Sequence, residues 1–250
     1  MTRLNVVKQE EDYSDTPGSG LGAGQPVEGI GEIQPGDDLG AMLADAADLA
    51  DGDVLVVTQK VVSKAENRLV EVDPDDPLDH KRLVLDESAR ILRRRGELVI
   101  SETHHGFVCA NAGVDLSNVR RGQAALLPED SDRSARRIRD RVRAVAEVEV
   151  GVIVSDTFGR PWRRGLTDVA IGCAGVAAIV DLRGAPDAYG RTMEVTEVAV
   201  ADELASAAEL VMGKASGIPA AVVRGIDPGW LRRSSIRDEI VRSPAEDLFR

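Results

Sequence analysis

Apolar residues along the chain fall into short continuous runs and longer periodic ones, and the difference sorts them into strands and helices. Val54-Leu-Val-Val57 and Val152-Ile-Val154 are short, unbroken and rich in β-branched residues, the pattern of strands covered on both faces. Further strands are expected at Leu98 to Ile100, Phe107 to Ala110, 149 to 155, near 176 to 182 and at 220 to 224. Leu39, Met42, Leu43, Ala46 and Leu49 recur instead at helical spacing behind a cap at Asp37 or Asp38, and Asp51-Gly-Asp53 closes that helix. After a turn at Pro128 to Asp132, Ile138, Val142 and Val145 give one apolar face to an arginine-rich helix. Its acids are interspersed with its arginines, so it reads as a surface element. A helix is expected near 86 to 95 and a long one near 197 to 212. The charged, proline-containing residues 69 to 82 are expected as a loop, and a glycine-rich stretch follows the strand at 149 to 155.

Strands alternate with helices, but not strictly, which predicts a mixed α/β to α+β sheet rather than a doubly wound parallel one. Residues 9 to 26 carry almost no apolar periodicity and read as a flexible acidic, Gly-rich insert. They place an N-terminal segment at 1 to 26, with a first strand and this insert, ahead of a folded body at 27 to 250. The chain shows no internal repeat and no Walker, Rossmann or kinase fingerprint.

Composition narrows the function classes. In 250 residues, 43% of them hydrophobic, there is material for a full core. No apolar stretch approaches the roughly 20 residues that span a bilayer, and no signal pattern opens the chain, so a cytoplasmic protein is expected. Cys109 and Cys173 fit no zinc or disulfide spacing and read as small buried hydrophobes. The formal charge is -12, with 25 Asp to 18 Glu and 26 Arg to 5 Lys. Acid-rich, lysine-poor surfaces suit a high-salt cytosol, where screening relieves self-repulsion, and a halophilic source is inferred. The same acidity, with no basic stripe interleaved with aromatics, argues against nucleic acid as a partner. Against that scarcity, Lys60, Lys64 and Lys214 fall in two short segments, Thr58 to Glu66 and Met212 to Pro219. A compact ammonium is kept where a phosphate needs a point charge, or it survives by chance on a solvated face.

Two segments place hard oxygen donors just beyond an apolar run: Ala110-Asn-Ala-Gly-Val-Asp-Leu-Ser-Asn118 and Val154-Ser-Asp-Thr-Phe-Gly-Arg-Pro-Trp-Arg-Arg-Gly165. Divalent ions that bridge phosphates take such carboxylates and hydroxyls, with positions left for phosphate and water. Asp156 and Thr157 are expected at the carboxyl end of a buried strand, where α/β sheets bind ligands. Asp115 is read either as a ligand or as a turn residue, since Asn, Gly, Asp and Ser are what turns are made of. Arg160, Arg163 and Arg164 are expected close to the same spot, facing anionic groups. His104 and His105 lack ligand spacing and read as surface or satisfied core residues. Asp168 falls outside the expected carboxylate set.

Six blocks in order, Val27 to Leu39, Gly52 to Glu66, His105 to Val119, Ser155 to Arg160 with Arg163-Arg-Gly165, Asp187 to Arg191, and Met212 to Pro219 with Val222 to Gly225, closely resemble the coenzyme F420:L-glutamate ligase family. The resemblance covers roughly residues 27 to 226. It implies a single catalytic unit with a mixed sheet, forming a homodimer. It also implies a GTP-dependent ligase that adds L-glutamate to a deazaflavin coenzyme precursor, using a pair of Mg2+ or Mn2+ ions and K+. By the same resemblance the metal ligands are Asp115, Asp156 and Thr157. Nucleotide contacts fall on Gly31, Glu32, Ile33, Gln34, Gln59, Lys60, Lys64 and Asn118, and on the loop Met212, Gly213, Lys214, Ala215, Ser216, Gly217, Ile218 and Pro219. The family commonly has a glutamate ligand where this chain has Lys214. That departure leaves the second metal position open, or moves its ligation to Thr157 and water while the ammonium serves the phosphates.

A carboxylate is a poor acyl donor, so such a ligase first converts it to an acyl phosphate, with the protein supplying position and positive charge. Lys60, Lys64, Arg160, Arg163 and Arg164 are the candidate cations. Two other readings use the same residues: a metal-dependent nucleotide phosphohydrolase, and a non-catalytic nucleotide-binding module.

Overall fold

The computed structural model describes residues 22–247. It opens with β1 (Gly22–Pro26), so ordered pairing begins ahead of Val27; the rest of the expected N-terminal segment lies outside the described residues. In α1 (Leu39–Ala46) the cap is Asp38, whose carboxylate accepts from the Ala41 amide, while Asp37 accepts from the Gln34 amide. Then β2 (Val54–Thr58) runs without a break into α2 (Gln59–Ala65), and an excursion follows. It comprises β3 (Leu69–Glu71), α3 (Pro77–Asp86), β4 (Ser88–Arg95), β5 (Leu98–Thr103), β6 (Val108–Ala110) and β7 (Gln123–Ala125). The chain returns through α4 (Ser131–Ala146), β8 (Gly151–Arg160), β9 (Arg163–Ala174), β10 (Val180–Asp181) and β11 (Glu197–Val198). It finishes with α5 (Val200–Met212), β12 (Ala220–Arg224) and α6 (Ile236–Glu239).

The central sheet has the order β1-β12-β2-β8-β9 and is mixed, as expected. Only β2 and β8 are parallel, paired from Val54 with Gly151 to Thr58 with Ser155; the other neighbours are antiparallel. Strand alternation splits its side chains between two cores. Leu55, Val57, Val152, Val154 and Val222 pack under α1 and α4, whereas Val54, Val56, Ile153, Ala221 and Val223 pack under α5 and α6. Burial on both faces explains why these strands are unbroken apolar runs. Cys109 and Cys173 are buried, and among the described residues no helix is long and apolar enough to cross a membrane.

Two expectations fail in the excursion. Residues 88 to 95 form β4 rather than a helix, and 69 to 82 hold β3 and most of α3 rather than a loop. Asp76 caps α3 at the Leu78 amide with a proline in its first turn, so the helix starts and ends upstream. The following residues are good helix formers, but Gly96, at φ 60°, turns them back to pair with β5, and cross-strand pairing overrides their propensity. A third difference is at the glycine-rich stretch. There β8 continues to Arg160 and returns as β9, making one long antiparallel arm. Of the strand expected near 176 to 182, only Val180–Asp181 pairs, with β11. On α4, Ile138 and Val142 are buried but Val145 is exposed.

The start of α4 is fixed to the sheet by two devices. Gly172 lets the helix approach, since a Cβ there would lie 2.3 Å from the Ser131 carbonyl. Asp132, 7% exposed, accepts from the amides of Cys173 at 2.8 Å, Ile236 at 3.0 Å and Arg237 at 3.2 Å, and from the Ser235 hydroxyl at 2.9 Å. One carboxylate thus ties α4 to β9 and to the first turn of α6. Asp132→Ala strands buried amides and should cost about 3 kcal/mol in urea denaturation, with Asp132→Asn costing less because one acceptor oxygen remains.

Candidate active site

The last parallel pair is Thr58 with Ser155, so α2 and the distal half of β8 diverge from adjacent points at the carboxyl edge of the sheet. Lys60, in the first turn of α2, donates from Nζ to Asp115 Oδ2 at 2.6 Å, to the Ser117 carbonyl at 2.6 Å and to Ser117 Oγ at 2.8 Å. The turn reading of Asp115 is also realised: its Oδ1 accepts from the Ser117 amide at 2.7 Å. Burial pushes the Asp115 carboxyl up, but the Lys60 ammonium and the Ser117 amide outweigh it and hold the group below the usual carboxylate range.

Asp156 follows directly on β8. It is half-buried, and among the described residues it forms no ion pair. Burial pushes its carboxyl up to about 7; the Thr157 amide opposes this, the Asp115 and Asp168 carboxylates add to it, and Lys60 offsets part of it. Cys109 on β6 borders the same point, its thiol pushed up to about 12 by burial and then by the Asp156 carboxylate.

Thr157 and Asp168 are opposed across the β8–β9 arm, and Thr157 Oγ1 donates to Asp168 Oδ1 at 2.7 Å. Asp168 is 2% exposed and also accepts from Ser155 Oγ at 3.2 Å. Lys214, in the loop after α5, donates to Asp168 Oδ1 at 2.6 Å, to Glu209 Oε1 at 2.9 Å and to Thr157 Oγ1. Burial would lower the Lys214 ammonium, but its bonds to Asp168 and Glu209 prevail and raise it. Asp168 therefore belongs to the crevice, which corrects its placement outside the carboxylate set. The cross-strand pairing that brings it there has no local sequence signal.

The remaining expected residues divide. Lys64 pairs with Glu32 at 2.6 Å beside the exposed Gly31 and Gln34. Gln59 is buried, its amide donating to Ser63 Oγ and the Leu126 carbonyl. Ile33 and Met212 are core residues beneath their loops. Asn118, at φ 51°, is exposed, as are Gly213, Lys214, Ala215, Ser216 and Gly217, while Ile218 and Pro219 are half-buried. Arg160, Arg163 and Arg164 do not gather at the crevice. The strand stays extended past Asp156, carrying these exposed side chains to the tip of the arm, about 13 Å away along the chain for Arg160. There Arg160 Nη2 donates to the Arg164 carbonyl at 2.9 Å. His104 is exposed against the Asp86 carbonyl, and His105 meets the Pro128 carbonyl and stacks on Phe107.

Asp156 fits a hard cation best, because it lies near the Asp115 carboxylate and has no ammonium of its own, whereas a cation reaching Asp115 would share its oxygens with Lys60 and Ser117. Thr157 fits less well, because its hydroxyl already serves Asp168 and Lys214. Among the described residues no three carboxylate, imidazole or thiolate side chains form a metal cage by themselves.

Alternating carboxylates and ammoniums at the carboxyl edge of a sheet covered on both faces define an α/β enzyme site in which partly exposed charged groups of both signs are gathered. The chain belongs to the F420-0:Gamma-glutamyl ligase family, whose family model matches residues 29–225. It is 44% identical over 243 residues to the coenzyme F420:L-glutamate ligase of Methanopyrus kandleri, covering 90% of this chain and 96% of that protein. The enzyme of the same name from Methanothermobacter thermautotrophicus is 41% identical over 244 residues, covering 90% and 97%. That of Archaeoglobus fulgidus is 42% identical over 240 residues, covering 90% and 95%.

The crevice has a measurable signature in metal-stripped protein. With its folded pKa raised to about 7, above the unfolded value, Asp156 holds a proton that the unfolded chain has lost from about pH 4 upward. Its contribution to stability is full below that range and is lost as pH rises through about 7. Asp156→Asn should therefore stabilise the chain at pH 8 and change it little at pH 4.5. Equal effects at both pH values in urea titrations would show an ordinary exposed carboxylate.

Proposed function

We propose that the chain joins L-glutamate to the carboxylate of a deazaflavin coenzyme F420 precursor, using GTP, Mg2+ or Mn2+ and K+, as a cytoplasmic homodimer. The observation that carries the reading is the crevice where Lys60 and Asp115 meet Asp156, inside a chain whose relatives are named coenzyme F420:L-glutamate ligase.

The reaction follows from the charges involved. A coenzyme carboxylate oxygen attacks the γ-phosphorus of GTP, GDP leaves, and an acyl phosphate forms. The glutamate amine attacks the acyl carbon, phosphate leaves with the bonding pair, and the nitrogen gives up a proton. A divalent ion held by Asp115 and Asp156 would neutralise nucleotide phosphate oxygens. Lys60 positions Asp115 and, with its three N–H groups given to Asp115 and Ser117, would add positive charge near the same oxygens. Lys64, tied to Glu32 beside Gly31 and Gln34, would hold the nucleotide end. The arginines at the arm tip lie too far along the chain to join this step within one subunit.

Incubation of the full chain with precursor, GTP, Mn2+, K+ and L-glutamate at high salt should give glutamate-sized mass increments on the deazaflavin that disappear without GTP. GTP hydrolysis with no increment would favour the phosphohydrolase reading instead. Asp115→Asn and Asp156→Asn should each cut the initial rate by about 100-fold or more. Asp168→Asn should cost roughly 10-fold, because the residue acts through Thr157 and Lys214.

A further inference from the structure

Three oxygens from three elements converge on one ammonium: Asp168 of β9, Glu209 of α5 and Thr157 of β8 all accept from Lys214 Nζ. Each N–H of the ammonium therefore has an acceptor. Asp168 is 2% exposed, and apart from two hydroxyls its countercharge among the described residues is Lys214 alone. The loop carrying the lysine turns at Gly213 and Gly217, with φ 64° and 70°, which directs the side chain back over the arm. Next to this cluster lies Asp156, which has no ammonium of its own.

We propose that Lys214 is a built-in counter-ion occupying the second cation position of the crevice, so that each chain binds one divalent ion, through Asp115 and Asp156, instead of two. The inference rests on the proposed function for the first ion and departs from the metal pair expected from the sequence. The Thr157 and Asp168 oxygens a second ion would use are already donated to, and a dication entering there would meet the ammonium at close range, where like charges repel; at the first position Asp115 is also paired, with Lys60 at 2.6 Å, but Asp156 beside it has no ammonium of its own. The positive charge comes with the fold and needs no free ion.

The test is Mn2+ alone, titrated into metal-stripped full-length chain by calorimetry, with the Mn2+ paramagnetic resonance signal recorded in parallel. Wild type should take up one ion per chain, and Asp156→Asn should lose it. Lys214→Ala should gain a second ion with the broadened signal of a neighbouring pair, and Lys214→Ala with Asp168→Asn should lose that second ion again. Should Lys214→Ala fail to fold, Lys214→Gln, one atom shorter and uncharged, takes its place. Two ions in wild type, or unchanged stoichiometry and affinity in the Lys214 variants, would overturn the inference. No ion in wild type but one in Lys214→Ala would keep the counter-ion role and remove the Asp115 and Asp156 reading. No ion in any of them would remove both.

Discussion

One parallel pairing, Val54–Thr58 beside Gly151–Ser155, organises the protein. Parallel neighbours cannot be joined by a tight turn, so the chain must leave and return between them. Here it does so through the whole excursion from α2 to α4. Both strands are apolar on both faces, which obliges α1 and α4 to cover one side and α5 and α6 the other. Their parallel pairing ends at Thr58 and Ser155, where β2 gives way to α2 while β8 runs on, so Lys60, in α2, and Asp156, on β8, both follow the last pair.

How the fold treats its buried acids shows where chemistry is placed. Asp53, 1% exposed, is clamped by Arg224 through two bonds of 2.8 Å, joining β2 to β12. Asp132 is satisfied by amides and a hydroxyl, and Asp168 by hydroxyls and Lys214. A buried carboxylate compensated in these ways is a structural staple. Asp156 differs: it is partly desolvated and lies near two other carboxylates, with no ammonium dedicated to it. A carboxylate left in that condition beside others that are compensated is a candidate for binding something not supplied by the chain.

The lysines illustrate the same economy in a chain with only five. Lys60, Lys64 and Lys214 each meet a carboxylate at 2.6 Å, and each does so at the edge of the crevice or the loop beside it. The arginines instead stud the outer surface of α4 and the arm, where their charge is hydrated and screened.

The sequence by itself determined β2, β8 and β12, the helices α1, α4 and α5, the mixed character of the sheet and the segments that hold Asp115, Asp156 and the lysines. All of these follow from local periodicity and turn chemistry, which are properties of a few adjacent residues. Only the tertiary structure decided that 88 to 95 is a strand, because pairing with β5 outweighed the helix propensity of its residues. Only it brought Asp168 to Thr157 and Lys214, and only it carried Arg160, Arg163 and Arg164 away along an arm that stays extended. Those outcomes depend on which strand lies opposite which. Cross-strand partners share no spacing along the chain, so no local pattern could have marked them.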